Sequence, residues 1–440
     1  MSHYKRYPDY KDSGVEWIGE VPAHWETLRI KRAATLRTDR RNDAPDGWTY
    51  IGLEDVESES GRYAPTKGAS RQSEDSMVGA FRTGDVLYGK LRPYLRKSIV
   101  ADRDGVCSTE FLVLDAGRAT ASWLHRWLLT PDVTQQVTAG CDGAKMPRAD
   151  WEHVGSIPLT LPPPTEQSAI TAAIDRETAR IDVLISKKTR FIELLKEKRQ
   201  ALITRAITKG LDPNVKMKDS GVEWIGEVPE HWDVVAIKRL TSVQRGASPR
   251  PIDDPKYFDD AGMFGWTRIE DVSSSNGVLR ETKQRLSPLG ASLSVKLAPG
   301  DLFLSIAATV GKPCISAIDV CIHDGFVYFP RLKLNPWWLF RIFECGAAFV
   351  GLGKLGTQLN LNTETVAAIK IPLPPTTELR PLLDFISRAM SRIDKLLAKV
   401  EHSIALLKER RSALITASVT GQIDLRDASL SESEGTPCIQ

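Results

Sequence analysis

The chain writes nearly the same fifteen residues twice, KDSGVEWIGEVPAHW at residues 11–25 and KDSGVEWIGEVPEHW at residues 218–232. A repeat of this length and fidelity requires two copies of one unit, since periodicity on this scale is the mark of a duplicated architecture. Three later pairs extend it, all at an offset of 212. LPPPTEQ starts at 161 and LPPTTEL at 373, ARIDVLI at 179 and SRIDKLL at 391, LLKEKRQALIT at 194 and LLKERRSALIT at 406. Each unit therefore has a Trp-rich lead, a long middle and a helix-like tail.

The middles diverge and share only landmarks. Glu54-Asp55-Val56 matches Glu270-Asp271-Val272, and Gly84-Asp85 matches Gly300-Asp301, both pairs at an offset of 216. Short β-like runs at 85–88, 111–114, 301–306 and 325–329 are separated by turn residues, and helical runs follow at 123–129 and 337–343. The fold class expected is α+β: two pseudo-repeated globular domains joined by two long antiparallel coiled-coil helices. The boundaries expected are lead and first domain at 1–160, central helix and linker at 161–217, second lead and domain at 218–372, C-terminal helix at 373–426, and a flexible tail at 427–440.

The tails supply the long helices. Pro162 to Pro164 and the pair Pro374-Pro375 end the preceding strand, and Thr165 or Thr376 offers an N-cap, with Glu166 or Glu378 suited to the positive helix end. In the second tail Leu379, Leu383, Ile386, Met390, Ile393, Leu397, Val400, Ile404, Leu407 and Leu414 step by alternating fours and threes, then seven, with Arg411 at the one polar position. That is a heptad seam. The first tail keeps the phase more weakly through Ile174, Ile181, Ile185, Ile192, Leu195 and Leu202. A helix over 165–209 would be about 67 Å long. Its stripe needs a partner, and the other tail, running antiparallel, is the natural one; packing of each helix on its own domain is the alternative. In the leads, Trp17, Ile18, Val21, Pro22 and Trp25 have the bulk of packing anchors. The first lead is expected to clamp the end of the second helix near 420–425.

Catalytic signatures are missing. GLGKLG at 351–356 matches a dinucleotide fingerprint, but a helix-like run precedes it where a strand is required. No phosphate-binding P-loop and no amino-methyltransferase [DNS]-P-P-[YFW] motif occur. The six cysteines, at 107, 141, 314, 321, 345 and 438, form no CxxC pair, and no metal site is expected. No apolar run reaches membrane-spanning length, the N-terminus has no signal-peptide core, and a cytoplasmic protein is expected. A net charge of +3 leaves nucleic-acid binding to local clusters. Such clusters recur in both units. In the first they are Arg37, Arg40, Arg41 and Asn42, then Tyr88, Lys90, Arg92, Tyr94, Arg96 and Lys97 in YGKLRPYLRK, then Lys145 and Arg148. In the second they are Arg245, Arg250, Arg268, Lys312, Lys354, Gln358, Asn360 and Asn362. Arginine suits phosphate or guanine, and Asn or Gln suits adenine. A solvated charged surface remains the alternative for each residue.

With the leads, IPLTLPPPTEQ, ARID, LLKEKRQALIT and their copies in this order, the whole chain resembles the specificity subunit of type I restriction-modification systems. GDVLYGKLRPYLRK and STEFLVL resemble that family's target-recognition domains. The resemblance implies a non-catalytic subunit that binds double-stranded DNA at a bipartite target, one half-site per domain, with the helices fixing the gap. It implies two methyltransferase subunits using S-adenosylmethionine as partners, and restriction motor subunits using ATP and Mg²⁺. The chain itself is expected to bind no cofactor. A stand-alone methyltransferase or nuclease, or a coiled-coil scaffold without DNA, are the competing readings.

Overall fold

The computed structural model describes residues 4–42, 47–65, 77–141, 143, 145–352 and 361–426. The chain divides into two compact units, residues 1–189 with 401–440, and residues 190–400. The division cuts through both tails, so each unit holds the start of one long helix and the end of the other.

The first unit contains two four-stranded sheets. One has the order Thr35–Leu36, Phe111–Asp115, Val86–Gly89, Ser98–Val100. The other runs Arg40–Arg41, Val78–Phe81, Gly105–Ser108, Thr49–Ile51, and its last pair is parallel. The second unit repeats the plan. Gln244–Arg245, Phe326–Tyr328, Leu302–Ser305 and Pro313–Ser316 lie in the same order, with Val278–Leu279 added at the edge. Gln284–Leu286, Phe264–Thr267, Val320–Ile322 and Val295–Leu297 form its second sheet, again with one parallel pair. The central strands are short apolar runs buried on both faces, such as Val86–Gly89 and Leu302–Ser305. A helix covers each core: Ala121–Leu128 buries Trp123 and Trp127, and Pro336–Glu344 buries Trp338, Phe340 and Phe343.

The sparse landmarks prove to be backbone devices. The Asp55 carboxylate accepts the Gly52 N–H at 2.9 Å, and Asp271 accepts the Arg268 N–H at 2.8 Å. Asp85 accepts the Arg82 N–H at 2.7 Å, and Asp301 the Ala298 N–H at 2.8 Å, each closing a turn through a glycine at positive φ. His125 packs in the first core against Ser98 Oγ at 3.1 Å, and burial pulls its pKa down to about 3. It is a neutral packing group.

The long helices span Pro164–Lys209 and Thr376–Val419. Thr165 and Thr376 are not N-caps. Both lie inside their helices, and the carbonyls of Pro163 and Pro375 accept the first helical N–H groups. Proline suits the first helical position because its missing N–H would have no partner there. In the first unit Ile170 and Ile174 share a core with Leu414 and Ile415, Ile181 is buried, and Arg411 Nε donates to Asp182 at 3.0 Å. In the second, Leu195, Ile203 and Ile207 share a core with Leu382, Ile386, Met390 and Ile393, and Arg199 pairs with Asp394. Seam positions Ile185, Ile192, Leu202, Leu397, Val400, Ile404 and Leu407 are half-buried. Among the described residues, no helix is long and apolar enough to cross a membrane.

Each lead clamps its unit at both helix ends. Trp25 Nε1 donates to Glu166 at 3.1 Å and His24 Nε2 lies 2.8 Å from the other carboxylate oxygen. The second copy repeats this, with Trp232 Nε1 to Glu378 at 3.0 Å and His231 at 2.6 Å. Tyr10 OH donates to the Gly421 carbonyl at 3.0 Å, and Gln422 Nε2 donates to the Glu20 carbonyl at 2.8 Å. A Cβ on Gly421 would stand 2.2 Å from Pro22, at φ +76°. Gly210, at φ +71°, ends the first helix against Pro229 and Trp232 in the same manner. The clamp expected at 420–425 is therefore present.

Candidate nucleic-acid interface

In the first unit the chain brings two of the three basic stretches together. The Arg92 N–H donates to the Pro147 carbonyl at 2.8 Å, and the Ala149 N–H to the Lys90 carbonyl at 3.0 Å. Leu91 and Arg148 form an isolated bridge. One surface thus carries Lys90, the exposed Tyr94, Lys145 and Arg148. The third stretch lies on another sheet, where Arg40 and Arg41 pair with Gly79 and Val78. There Trp48 lies beneath two guanidinium groups, Arg41 at 5.2 Å and Arg82 at 5.4 Å from its ring. Arg40 and Asn42 are exposed beside it.

Several expected contact residues make contacts within the fold. Tyr88 is fully buried in strand Val86–Gly89, and burial pushes its hydroxyl above the ordinary range. It lies on a strand between the sheet faces, where an aromatic side chain is core. Arg37 Nε donates to both oxygens of the buried Asp85, at 2.9 and 2.7 Å, and Nη2 reaches Asp115 at 2.9 Å. Arg96 donates to Glu59 at 2.6 Å, and Lys97 Nζ to the Leu53 carbonyl at 2.7 Å. Arg92 stands at φ +51° and opens the turn Pro93–Leu95. In the second unit Lys312 Nζ caps the Ser273 carbonyl at 2.8 Å, and Arg268 Nε donates to Gln284 at 2.8 Å. Asn362 caps the helix Thr363–Ala368 by accepting the Thr365 N–H at 2.8 Å. Lys354, Gln358 and Asn360 lie outside the described residues.

Arg245 and Arg250 converge on a single turn. Arg250 Nη2 donates to Asp324 Oδ2 at 3.1 Å, Ser248 Oγ to Oδ1 at 2.8 Å, and Arg245 Nε to the Asp324 carbonyl. The Ser248 hydrogen bond holds the Asp324 carboxyl below the usual carboxylate range. In the first unit Glu110 occupies the equivalent turn. It receives Arg148 Nε at 3.2 Å and Nη2 at 2.9 Å. Sequence reasoning missed both acids because it looked for positive charge. The signal available was an acid in the turn before Phe111 and Phe326, in STEF and HDGF. Among the described residues no group of His, Cys, Asp and Glu is placed to hold a metal ion.

No protein-family model matches the chain. Among curated proteins it is 24% identical over 194 residues to the type I restriction enzyme EcoDI specificity subunit of Escherichia coli, covering 43% of each chain. It is 25% identical over 307 residues to the MjaVIII specificity subunit of Methanocaldococcus jannaschii, covering 65% of this chain and 66% of that one. Its homologues are type I restriction specificity subunits. The matched region spans about two fifths to two thirds of the length of these curated specificity subunits. A solved chain from a structure of the assembly and conformational transition of the type I restriction-modification system matches in fold over 91% of this chain and 98% of its own. The TM-score is 0.71 at 20% identity. The two-unit mixed α/β layout is thus shared with that chain.

Proposed function

We propose that the chain is the sequence-specific DNA-binding specificity subunit of a type I restriction-modification complex, itself without catalytic activity. Each unit reads one half of a bipartite duplex target. The two long helices pair as an antiparallel coiled coil that sets the spacer between the halves and docks two methyltransferase subunits. Those subunits bring S-adenosylmethionine to the complex, and restriction motor subunits, where present, bring ATP and Mg²⁺. The work takes place in the cytoplasm, with the DNA. The observation that carries the reading is the recurrence, in two units of one topology, of exposed arginines gathered on an equivalent turn. Half-site reading needs such a surface in each unit, and an adhesive scaffold does not.

Phosphate contacts make such binding salt-sensitive, because each neutralised phosphate releases counterions. The complex of this chain with its methyltransferase subunits is expected to lose duplex affinity by about a thousandfold or more between about 50 and 200 mM salt. A filter-binding titration measures it. Absence of duplex binding at low salt would favour a scaffold that never touches DNA.

A further inference from the structure

We propose that Glu110 and Asp324 are positioning residues for base reading, each tethering an arginine of its own unit, Glu110 along the Nε–Nη2 edge of Arg148 and Asp324 through Nη2 of Arg250, so that the free donors meet a base pair. The proposal deepens the DNA-reading function and rests on it.

A guanidinium carries five N–H donors in one plane, and two adjacent donors make a fork. Arg148 gives its Nε and Nη2 to Glu110. Among the described residues no group accepts from its Nη1. The open fork matches the N7 and O6 acceptors that guanine shows in the major groove. An arginine free to swing could equally grip any phosphate. One held along its side edge presents a planar pair of donors in a fixed direction, which favours the base that accepts both.

Both ends of the pair are anchored by backbone. The Lys90 N–H donates to the Glu110 carbonyl at 2.9 Å, and Arg148 bridges Leu91. The second unit builds a related joint, in which the arginine gives its acid Nη2 alone. Its Ile306 N–H donates to the Gly325 carbonyl at 2.8 Å, and Asp324 in that turn receives Arg250, Ser248 and Arg245. The two arginines come from unrelated places in the chain, one after the helix Pro131–Ala139 and one before the strand Phe264–Thr267. The acid also shifts by one position within the turn. An acid–arginine pair therefore recurs at one place in the topology without copied sequence around it. Arg148 and Arg250 are 56% and 71% exposed, and exposed ion pairs add little to folding. Stability gives a weak reason for the recurrence, and reading gives a direct one.

The test uses the full chain with its methyltransferase subunits and a randomised duplex pool, with the bound fraction sequenced. Glu110→Gln should lower preference about tenfold at one base pair of one half-site and leave the other half-site unaltered. Asp324→Asn should do the same in the other half-site. In an Arg148→Ala background, Glu110→Gln should add no further change, as expected of a residue that acts through its neighbour. Should Glu110→Gln fail to fold, Arg148→Lys, which keeps the charge and loses the fork, must relax the same position. Unaltered preference in these variants, or equal relaxation of both half-sites, overturns the proposal. If the wild-type complex itself selects no sequence, the DNA-reading function fails instead.

Discussion

Trp25→Ala is expected to destabilise the first unit by about 3–5 kcal/mol, the usual cost of emptying a buried tryptophan site. Trp25 is fully buried, meets Trp123 edge-on at 5.5 Å, and donates to Glu166, which is only 7% exposed. Its loss leaves both a cavity and a buried carboxylate short of a donor. Trp232→Ala should cost less, because Glu378 is 41% exposed and water can replace the indole. Calorimetry of the two variants should show one unit losing more than the other, with the base preference of surviving protein intact. Equal and small losses would mean that the leads are not clamps. Trp17, an anchor expected alongside Trp25, is half-buried against Trp127 and should matter less.

Insertion of seven residues in both long helices, between 189 and 190 and between 400 and 401, should lengthen the target spacer and leave both half-sites as they were. Seven residues keep the heptad phase and add about 10 Å of helix. At 3.4 Å of duplex rise per base pair, that is about three base pairs. Insertion in one helix alone breaks the register of the seam and should abolish assembly. Sequencing of bound duplexes reads the spacer directly. A variant with altered half-sites and an unchanged gap would dismiss the ruler.

The architecture was legible because duplication leaves constant offsets. The offset of 212 in the tails joins Glu166 to Glu378, and the offset of 216 in the middles joins Asp55 to Asp271 and Asp85 to Asp301. The aspartates recur because they satisfy backbone N–H groups that the fold exposes at the same places, and the glutamates because each receives the indole N–H of its lead. Contact residues were far less legible, since a basic residue reads alike whether its partner is DNA or a carboxylate. Arg37 stands within a basic stretch and Tyr88 within a basic, aromatic one, yet Asp85 takes the first and the core takes the second. Arg148 stayed on the candidate surface, but its partner, Glu110, carried the wrong sign to be noticed. The helix starts were misjudged at Thr165 and Thr376 because the prolines before them already serve the first turn.

In the proposed function one chain reads two separate blocks of DNA. Selection from a randomised duplex pool by the wild-type chain with its methyltransferase subunits measures this most directly. Two short enriched blocks separated by a gap of fixed length and free sequence are expected, with affinity requiring both. A single uninterrupted block, or no enrichment over the starting pool, would contradict it.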